Sequence, residues 1–229
     1  VDTDGDGRLD LIAVYIRRPL ETTQGMRVPA IYVANPYMLE CNEDWYVPHD
    51  VDRDVSPYPQ QHITESDITF DPSTVSFPQP RYPRATVGYA DTAPTEEIPL
   101  DCISDWYSYF NSRGYASVFC GGLGTRGSQG FNCCGSPEET AAFKAVIDWL
   151  NGRCRAFTNL TDNIEIRADW CTGKVAMSGK SYLGTMCIAV ASTGVEGLET
   201  IIPEAAISNW YDYYRCNGLN LPAIGWQGD

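Results

Sequence analysis

Basic residues are scarce in this sequence. Its 229 residues carry 16 Lys and Arg against 30 Asp and Glu, which gives a formal net charge of −14 and a pI near 4.4. This balance excludes nucleic acid as an expected partner, because binding to phosphates needs clustered Lys and Arg. Long apolar runs are also missing. None reaches the ~18 residues that span a bilayer, so we expect no transmembrane segment and no membrane partner.

Cysteine pairs with the CxxC spacing are absent, although the chain has nine cysteines. Their absence argues against a structural zinc site. Cys120 and Cys187 lie in apolar runs, where a free thiol behaves as a small hydrophobic group. The odd number and the spacing favour a reducing compartment, and we expect a cytoplasmic protein. Because the first residue is Val1 rather than Met, the question of whether a leader was removed from the chain stays open.

The remaining composition is that of a globular protein, with 43% hydrophobic and 20% charged residues. Strand-like segments alternate with helical patterns, and Ser136, Pro137 and Glu139 mark a helix start as N-cap, first helical residue and capping-box acid. The strands are expected at 9–17, 28–35, 115–120, 174–177 and 198–202, and the helices at 101–113, 137–151 and 182–192. This alternation predicts an α/β fold with a doubly wound, mostly parallel sheet.

Residues 38–100 interrupt this alternation. Nine of the fifteen prolines fall between Pro48 and Pro99, and the segment shows no regular period. Irregular stretches of this length within one domain are usually functional or mobile. We therefore expect an irregular, Pro-rich excursion over the surface, placed where it could cover a pocket.

The segment 173–184 has the pattern of a nucleophile elbow. A short apolar strand runs into Gly179, Ser181 follows on the turn, and an apolar helix begins at Tyr182. A serine on such a turn projects its hydroxyl above the sheet, and the backbone N–H of the next residue can bind an oxyanion. The second residue after Ser181 is Leu183, however, and the expected glycine comes one later, at Gly184. An ordinary tight turn without chemistry is the alternative, and Ser178 is a weaker rival within the strand.

A serine nucleophile needs a base, and the sequence offers few. The two histidines, His49 and His62, both precede Ser181, and the 48 residues after it contain none. In α/β-hydrolases the order along the chain is Ser, then acid, then His. Two interpretations remain. Either the acid and base lie beyond residue 229, or Ser181 is not a nucleophile; a histidine of the Pro-rich segment as base is the weaker third reading.

Several segments closely resemble the Xaa-Pro dipeptidyl-peptidases. These are serine peptidases with the α/β-hydrolase fold, related to the cocaine-esterase-like acylases. The strongest likeness lies at 179–185, 193–199 and 208–215, and shorter matches lie at 1–7, 34–37, 122–126 and 146–152. The resemblance implies an α/β-hydrolase catalytic domain of which this chain is the N-terminal part, with the Asp and His of the triad beyond residue 229.

The resemblance also assigns catalytic roles. It makes Ser181 the nucleophile, and it makes the side chain of Tyr37 an oxyanion donor beside the N–H of Tyr182. A phenol aimed at a developing negative charge can stabilise it by about 3 kcal/mol. Without the family, a packed tyrosine at a strand end would be the preferred interpretation of Tyr37.

Three further residues are implied in substrate binding. Trp210 and Tyr213 would form walls of a pocket for the proline ring. The alternative is a cluster of aromatic side chains in the core, and Tyr211 and Tyr214 are the better candidates for that cluster. The family needs a carboxylate for the free N-terminal amine of the substrate. Asp229 stands where the family has a glutamate.

The acidic N-terminus has the spacing of a calcium loop. Asp2, Asp4, Asp6 and Asp10 occupy positions one, three, five and nine, but Ala13 stands where a glutamate should be. The alternative is an acidic turn before the first strand, and the family implies no metal there.

The Gly-rich segment 121–130 lacks the ending of a phosphate-binding loop, so we expect a loop near the active site with Arg126 in a structural salt bridge.

The sequence therefore predicts a serine exopeptidase that releases Xaa-Pro dipeptides from the N-termini of peptides with a penultimate proline, through an acyl-enzyme and without a cofactor. Residues 1–229 alone are expected to be inactive. Two alternatives stay open: an acyl-ester or amide hydrolase of the same superfamily, and a non-catalytic binding module ordered by calcium. The oligomeric state is also open, a homo-oligomer included.

Overall fold

The computed structural model describes residues 1–5, 7–37, 64, 85–93 and 104–215. The strands in chain order are β1 (Val14–Arg17), β2 (Val28–Asn35), β3 (Gly88–Ala90), β4 (Ala116–Gly121), β5 (Ala156–Phe157), β6 (Ile164–Ile166), β7 (Cys171–Lys180) and β8 (Leu198–Glu204). The helices are α1 (Ser104–Asn111), α2 (Pro137–Leu150), α3 (Tyr182–Ser192) and α4 (Trp210–Arg215), with a 3₁₀ helix at Leu20–Gln24. No helix in these ranges is both long and apolar enough to cross a membrane.

The main sheet has five strands in the order β1-β4-β2-β7-β8. β1 runs antiparallel to β4, and the other neighbours run parallel. Parallel neighbours need crossover connections, and α1, α2 and α3 each lie between two strands of this sheet. The predicted α/β class with a mostly parallel sheet is confirmed.

Helices cover both faces of this sheet. Ala116 and Val118 of β4 belong to the large core that also contains Phe143 of α2. Since side chains alternate along a strand, Ser117 points to the other face, where its hydroxyl donates to the Asn111 side chain of α1 at 2.9 Å. The sheet is therefore doubly wound, as the sequence predicts.

Two helix predictions are confirmed closely. α3 occupies the predicted 182–192, and α2 ends one residue before the predicted 151. The N-cap of α2 is Ser136, whose hydroxyl accepts from the N–H of Glu139 at 3.1 Å. The Glu139 side chain, however, does not bond back to Ser136, and its carboxylate accepts from the N–H of Gly135 instead.

Other elements differ in extent from the prediction. β7 is longer than the expected 174–177, since Gly173 and Gly179 interrupt an apolar pattern that the backbone continues through. A second sheet of three short strands, in the order β3-β6-β5, was not anticipated. One of its strands, Gly88–Ala90, lies inside the segment expected to be irregular. Strands of two or three residues are too short to show a period in the sequence.

Candidate active site

The predicted site residues lie near one edge of the main sheet. Parallel strands place their carboxyl ends together, and ligand sites of α/β sheets lie at that edge. Ser181 directly follows β7, Tyr37 lies two residues after the end of β2, and Trp210 lies six residues after the end of β8. The sheet topology thus brings together three segments that are far apart in the sequence.

Ser181 occupies the sharp strand-to-helix turn that the sequence predicts. Its backbone has φ 60° and ψ −122°, which is uncommon for a residue other than glycine. The N–H donates to the carbonyl of Glu204 at 2.8 Å, and the carbonyl accepts from the N–H of Thr185 at 2.9 Å. The half-buried side chain makes no capping hydrogen bond to α3. The turn is therefore held by its backbone, and the hydroxyl is not used to cap the helix.

Two glycines make room for this turn. A Cβ on Gly184 would lie 2.6 Å from the carbonyl oxygen of Glu204, and one on Gly179 would lie 2.6 Å from the carbonyl carbon of Leu183. Both neighbours are backbone atoms, which cannot rotate away. The close approach of β7, α3 and β8 explains why Gly184 is needed one position later than in the common motif.

Tyr182 and Tyr37 meet beside the turn. Their rings pack edge to face, with centroids 5.8 Å apart and an interplanar angle of 88°. Tyr182 is the first residue of α3, so its N–H is one of the donors that a helix leaves without an intrahelical partner. Tyr37 is held by its own N–H, which donates to the side chain of Asn35 at 2.9 Å. The helix-terminal N–H of Tyr182 therefore directly follows Ser181, and the ring of Tyr37 packs against the ring of Tyr182.

Trp210 continues this aromatic group. Its ring packs edge to face on Tyr182 at 5.0 Å between centroids and on Tyr213 at 6.5 Å. The structure thus brings Trp210 and Tyr213 into contact, although Tyr213 is 40% exposed. Tyr211 was expected in an aromatic core, and that expectation is wrong because its side chain is 59% exposed. The side chain of Tyr214 lies outside the described part.

A buried acid behind Tyr182 was not recognised from the sequence. The phenol of Tyr182 donates to Oε2 of Glu139 at 2.5 Å. The N–H of Gly135 donates to the same Oε2 at 2.8 Å and to the hydroxyl oxygen of Tyr182 at 2.7 Å. Glu139 is fully buried, and its Oε1 has no hydrogen-bond partner among the described residues. Burial raises the pKa of Glu139, and burial together with the bond to Glu139 raises the pKa of Tyr182. The only sequence signal was the capping box, which indicated a different partner.

The predicted salt bridge of Arg126 is not formed with any acidic residue in the described ranges. Its guanidinium lies over the ring of Phe119, 5.4 Å from the centroid, and its Nε and Nη1 are buried without a hydrogen-bond partner in the described part of the chain. The backbone of Arg126 has φ 44°, and its carbonyl accepts from the hydroxyl of Tyr15 at 2.6 Å. The loop is thus held by its main chain rather than by an ion pair.

The acidic N-terminus forms a hydrogen-bonded turn. Asp2 accepts from the N–H groups of Gly5 and Gly7, both at 2.8 Å, and Asp10 accepts from the N–H and hydroxyl of Thr3 at 2.9 and 2.7 Å. Among the described residues, no group of three or more His, Cys, Asp or Glu is arranged to hold a metal. Asp6, one of the calcium candidates, lies outside the described residues. The contacts of Asp2 and Asp10 are those of the alternative interpretation, an acidic turn before β1.

Three other sequence candidates lie outside the described residues: His49, His62 and Asp229. Their roles remain predictions.

Comparison with known proteins points to one family. The family model described as X-Pro dipeptidyl-peptidase (S15 family) matches residues 4–228. Xaa-Pro dipeptidyl-peptidases of Pediococcus pentosaceus and Lacticaseibacillus casei are 45% and 44% identical to this chain over 231 and 229 residues. The matches cover 100% of this chain and 28% of each relative, so the chain spans little more than a quarter of their length.

Solved structures give weaker matches. A CocE/NonD family hydrolase from Staphylococcus aureus is 16% identical, with a TM-score of 0.49, over 89% of this chain and 26% of its own. An α-amino acid ester hydrolase is 15% identical, with a TM-score of 0.47, over 88% of this chain and 24% of its own.

Proposed function

The chain belongs to the X-Pro dipeptidyl-peptidase (S15) family, and from that premise we propose that the protein containing it is a serine exopeptidase. It would release Xaa-Pro dipeptides from the N-termini of peptides. The observation that carries the proposal is the backbone of Ser181, a non-glycine residue held at φ 60° between β7 and α3. Strained backbone of this kind persists where the surrounding structure enforces it, and it clusters at active sites.

In the proposed reaction, Ser181 Oγ attacks the carbonyl carbon of the substrate's proline residue. The Oγ–C bond forms while the hydroxyl proton passes to a general base. The C–N bond then breaks, the proton is given to the leaving amine, and the dipeptide remains as an acyl-enzyme. Water hydrolyses the ester and restores the Ser181 hydroxyl.

The negative charge of the tetrahedral intermediate needs donors beside Ser181. The N–H of Tyr182 is one, because it begins α3 and lies at the positive end of the helix. The phenol of Tyr37 is the second, supported by the contact of its ring with that of Tyr182. Donors fixed before the reaction need no reorganisation when the charge develops.

Trp210 and Tyr213 form the proposed wall for the proline ring. Their mutual contact and the contact of Trp210 with Tyr182, the residue after Ser181, support this proposal. Flat aromatic rings offer a large apolar surface with little side-chain entropy to lose, which suits a rigid five-membered ring. Asp229 is the proposed partner of the substrate's free amine, on the resemblance alone.

The triad is completed outside residues 1–229 in this proposal. Both histidines precede Ser181 in the sequence, whereas the acid and base of α/β-hydrolases follow the nucleophile. We therefore assign residues 1–229 to the first part of the catalytic domain and expect them to be inactive alone.

We also propose a reducing, cytoplasmic location. In the described part Cys120, Cys133, Cys154, Cys171 and Cys187 are free thiols, and Cys120, Cys171 and Cys187 are buried. Unpaired cysteines in this number are usual in reducing compartments and unusual in secreted proteins.

Hydrolysis of a Gly-Pro anilide by the full-length protein tests the proposed function. We expect release of the chromophore by the wild type, little release from the N-acetylated anilide, and none by Ser181→Ala. An aryl ester of a small acid is the comparison substrate. Rapid hydrolysis of the ester with no cleavage of the anilide would replace the peptidase by an acyl-ester hydrolase.

A further inference from the structure

The buried carboxyl of Glu139 has no role in the reaction as proposed so far. It lies in the first turn of α2, fully buried, and its contacts converge on the residue that follows the nucleophile. We propose that Glu139 is a positioning residue that fixes Tyr182, and through Tyr182 the oxyanion donors and the aromatic wall. This inference rests on the proposed function of Ser181.

The phenol of Tyr182 is held from two sides. Its hydroxyl donates to Glu139 Oε2 at 2.5 Å and accepts from the N–H of Gly135 at 2.7 Å, while the same N–H donates to Oε2 at 2.8 Å. Three short contacts among three groups leave the ring little freedom. The contact between the Tyr182 hydroxyl and Glu139 Oε2 is the shortest of the three, so the carboxyl is the closest of these anchors.

The ring of Tyr182 in turn supports both halves of the site. Its edge-to-face contacts with Tyr37 and Trp210 connect the proposed side-chain donor on one side to the proposed proline wall on the other. A Cβ on Gly135 would lie 2.5 Å from Nε1 of Trp210, so the Gly135 backbone also packs directly on the indole. Displacement of Tyr182 would therefore move the donor, the wall and the amide next to Ser181 together.

The unsatisfied oxygen of Glu139 supports a role other than stability. Oε1 is buried and has no hydrogen-bond partner within the ranges that the structure describes, and burial raises the pKa of the carboxyl. A buried polar atom without a partner destabilises a fold, so the carboxyl adds less to stability than its contacts with Tyr182 and Gly135 alone suggest. The carboxyl at this position is better explained by the residue it holds than by a contribution to stability.

The test uses the full-length protein with three substitutions: Glu139→Leu, Glu139→Gln and Tyr182→Phe. Leu keeps the volume but cannot accept a hydrogen bond, whereas the Gln carbonyl can still accept from Tyr182 and Gly135. We expect Glu139→Leu to lower kcat on Gly-Pro anilide about 10- to 100-fold, the cost of a small misplacement of reacting groups. Glu139→Gln should restore kcat to within about threefold of the wild type, because it keeps the acceptor.

A double-mutant cycle separates positioning from a general effect on folding. If Glu139 acts through the phenol, Glu139→Leu should cause no further loss of kcat in the Tyr182→Phe background. The rate at which a small fluorophosphonate labels Ser181 should fall in parallel, since it depends on the oxyanion donors and not on the proline pocket. The matched control is Glu138→Gln, the exposed neighbour on α2, which should leave both rates unchanged.

The outcomes separate this inference from the proposed function. A folded Glu139→Leu variant with the kcat and labelling rate of an active wild type would overturn the inference alone. Should Glu139→Leu fail to fold, an unchanged kcat of Tyr182→Phe would overturn it equally. A folded wild type that neither cleaves the anilide nor reacts with the fluorophosphonate would overturn the proposed function, and the positioning role with it.

Discussion

Replacement of Ser181 by glycine should stabilise the protein relative to replacement by alanine. Both changes remove the hydroxyl, but only glycine adopts φ 60° and ψ −122° without strain. A non-glycine residue in such a conformation costs about 1–3 kcal/mol, while the greater freedom of glycine in the unfolded chain offsets about 0.4–1 kcal/mol of the gain. The expected net advantage of Ser181→Gly over Ser181→Ala is therefore about 1.3 kcal/mol, within limits of about 0 and 2.6 kcal/mol. Thermal unfolding of the two full-length variants measures it, at about 2–4 °C per kcal/mol for a domain of 150–250 residues.

Ser178 provides the matched control, because it lies three residues earlier within β7 and has no positive φ. Its hydroxyl donates to the carbonyl of Ile202 at 3.3 Å, and both alanine and glycine remove that bond. In a strand, glycine is less stable than alanine by about 0.5–1 kcal/mol. The order of the two variants should therefore reverse between positions 178 and 181. Alanine more stable than glycine at both positions would refute the strained turn.

Three further predictions concern single side chains. Tyr37→Phe should lower kcat about 100-fold with little change in KM, because one oxyanion donor contributes about 3 kcal/mol. Steady-state kinetics on Gly-Pro anilide measures this effect, and an unchanged kcat would show that Tyr37 is not an oxyanion donor. Gly184→Ala should abolish labelling of Ser181 and lower the melting temperature, since its Cβ would lie 2.6 Å from a backbone oxygen, whereas Gly88→Ala, with nothing within 4 Å, should do neither. Burial raises the pKa of Cys120 to about 12, so its thiol should resist iodoacetamide at pH 8 until the protein is denatured, as peptide mass mapping can show.

Much of the fold could be predicted because its signals are local. The start of α2 depends on Ser136 and Pro137, whose effects on the first helical turn act within a few residues, and the structure confirms that start. The beginning of α3 at Tyr182 follows in the same way from the small residues of the turn. The strands β2 and β4 were also recognised, since both are buried along almost their whole length and show as continuous apolar runs.

The contacts that the sequence could not reveal are long-range. Tyr182 and Glu139 are 43 residues apart, and nothing near either residue indicates the other. The capping-box pattern even indicated a different partner for Glu139, which the tertiary contact with Tyr182 displaced. The strands of the small sheet are similar cases, since β3 pairs with β6 some 76 positions later, from Gly88 to Ile164. Two or three residues carry no period, so only the pairing itself defines such strands.

The role of Ser181 is tested most directly by covalent labelling. The folded full-length protein would be treated with a fluorophosphonate at neutral pH, digested, and examined by peptide mass spectrometry. We expect one stoichiometric adduct on Ser181, lost in Ser181→Ala and prevented by prior denaturation, because the reaction needs an activated hydroxyl and an intact oxyanion site. An unmodified Ser181 in folded protein, or an adduct on Ser178 instead, would contradict the assignment of the nucleophile.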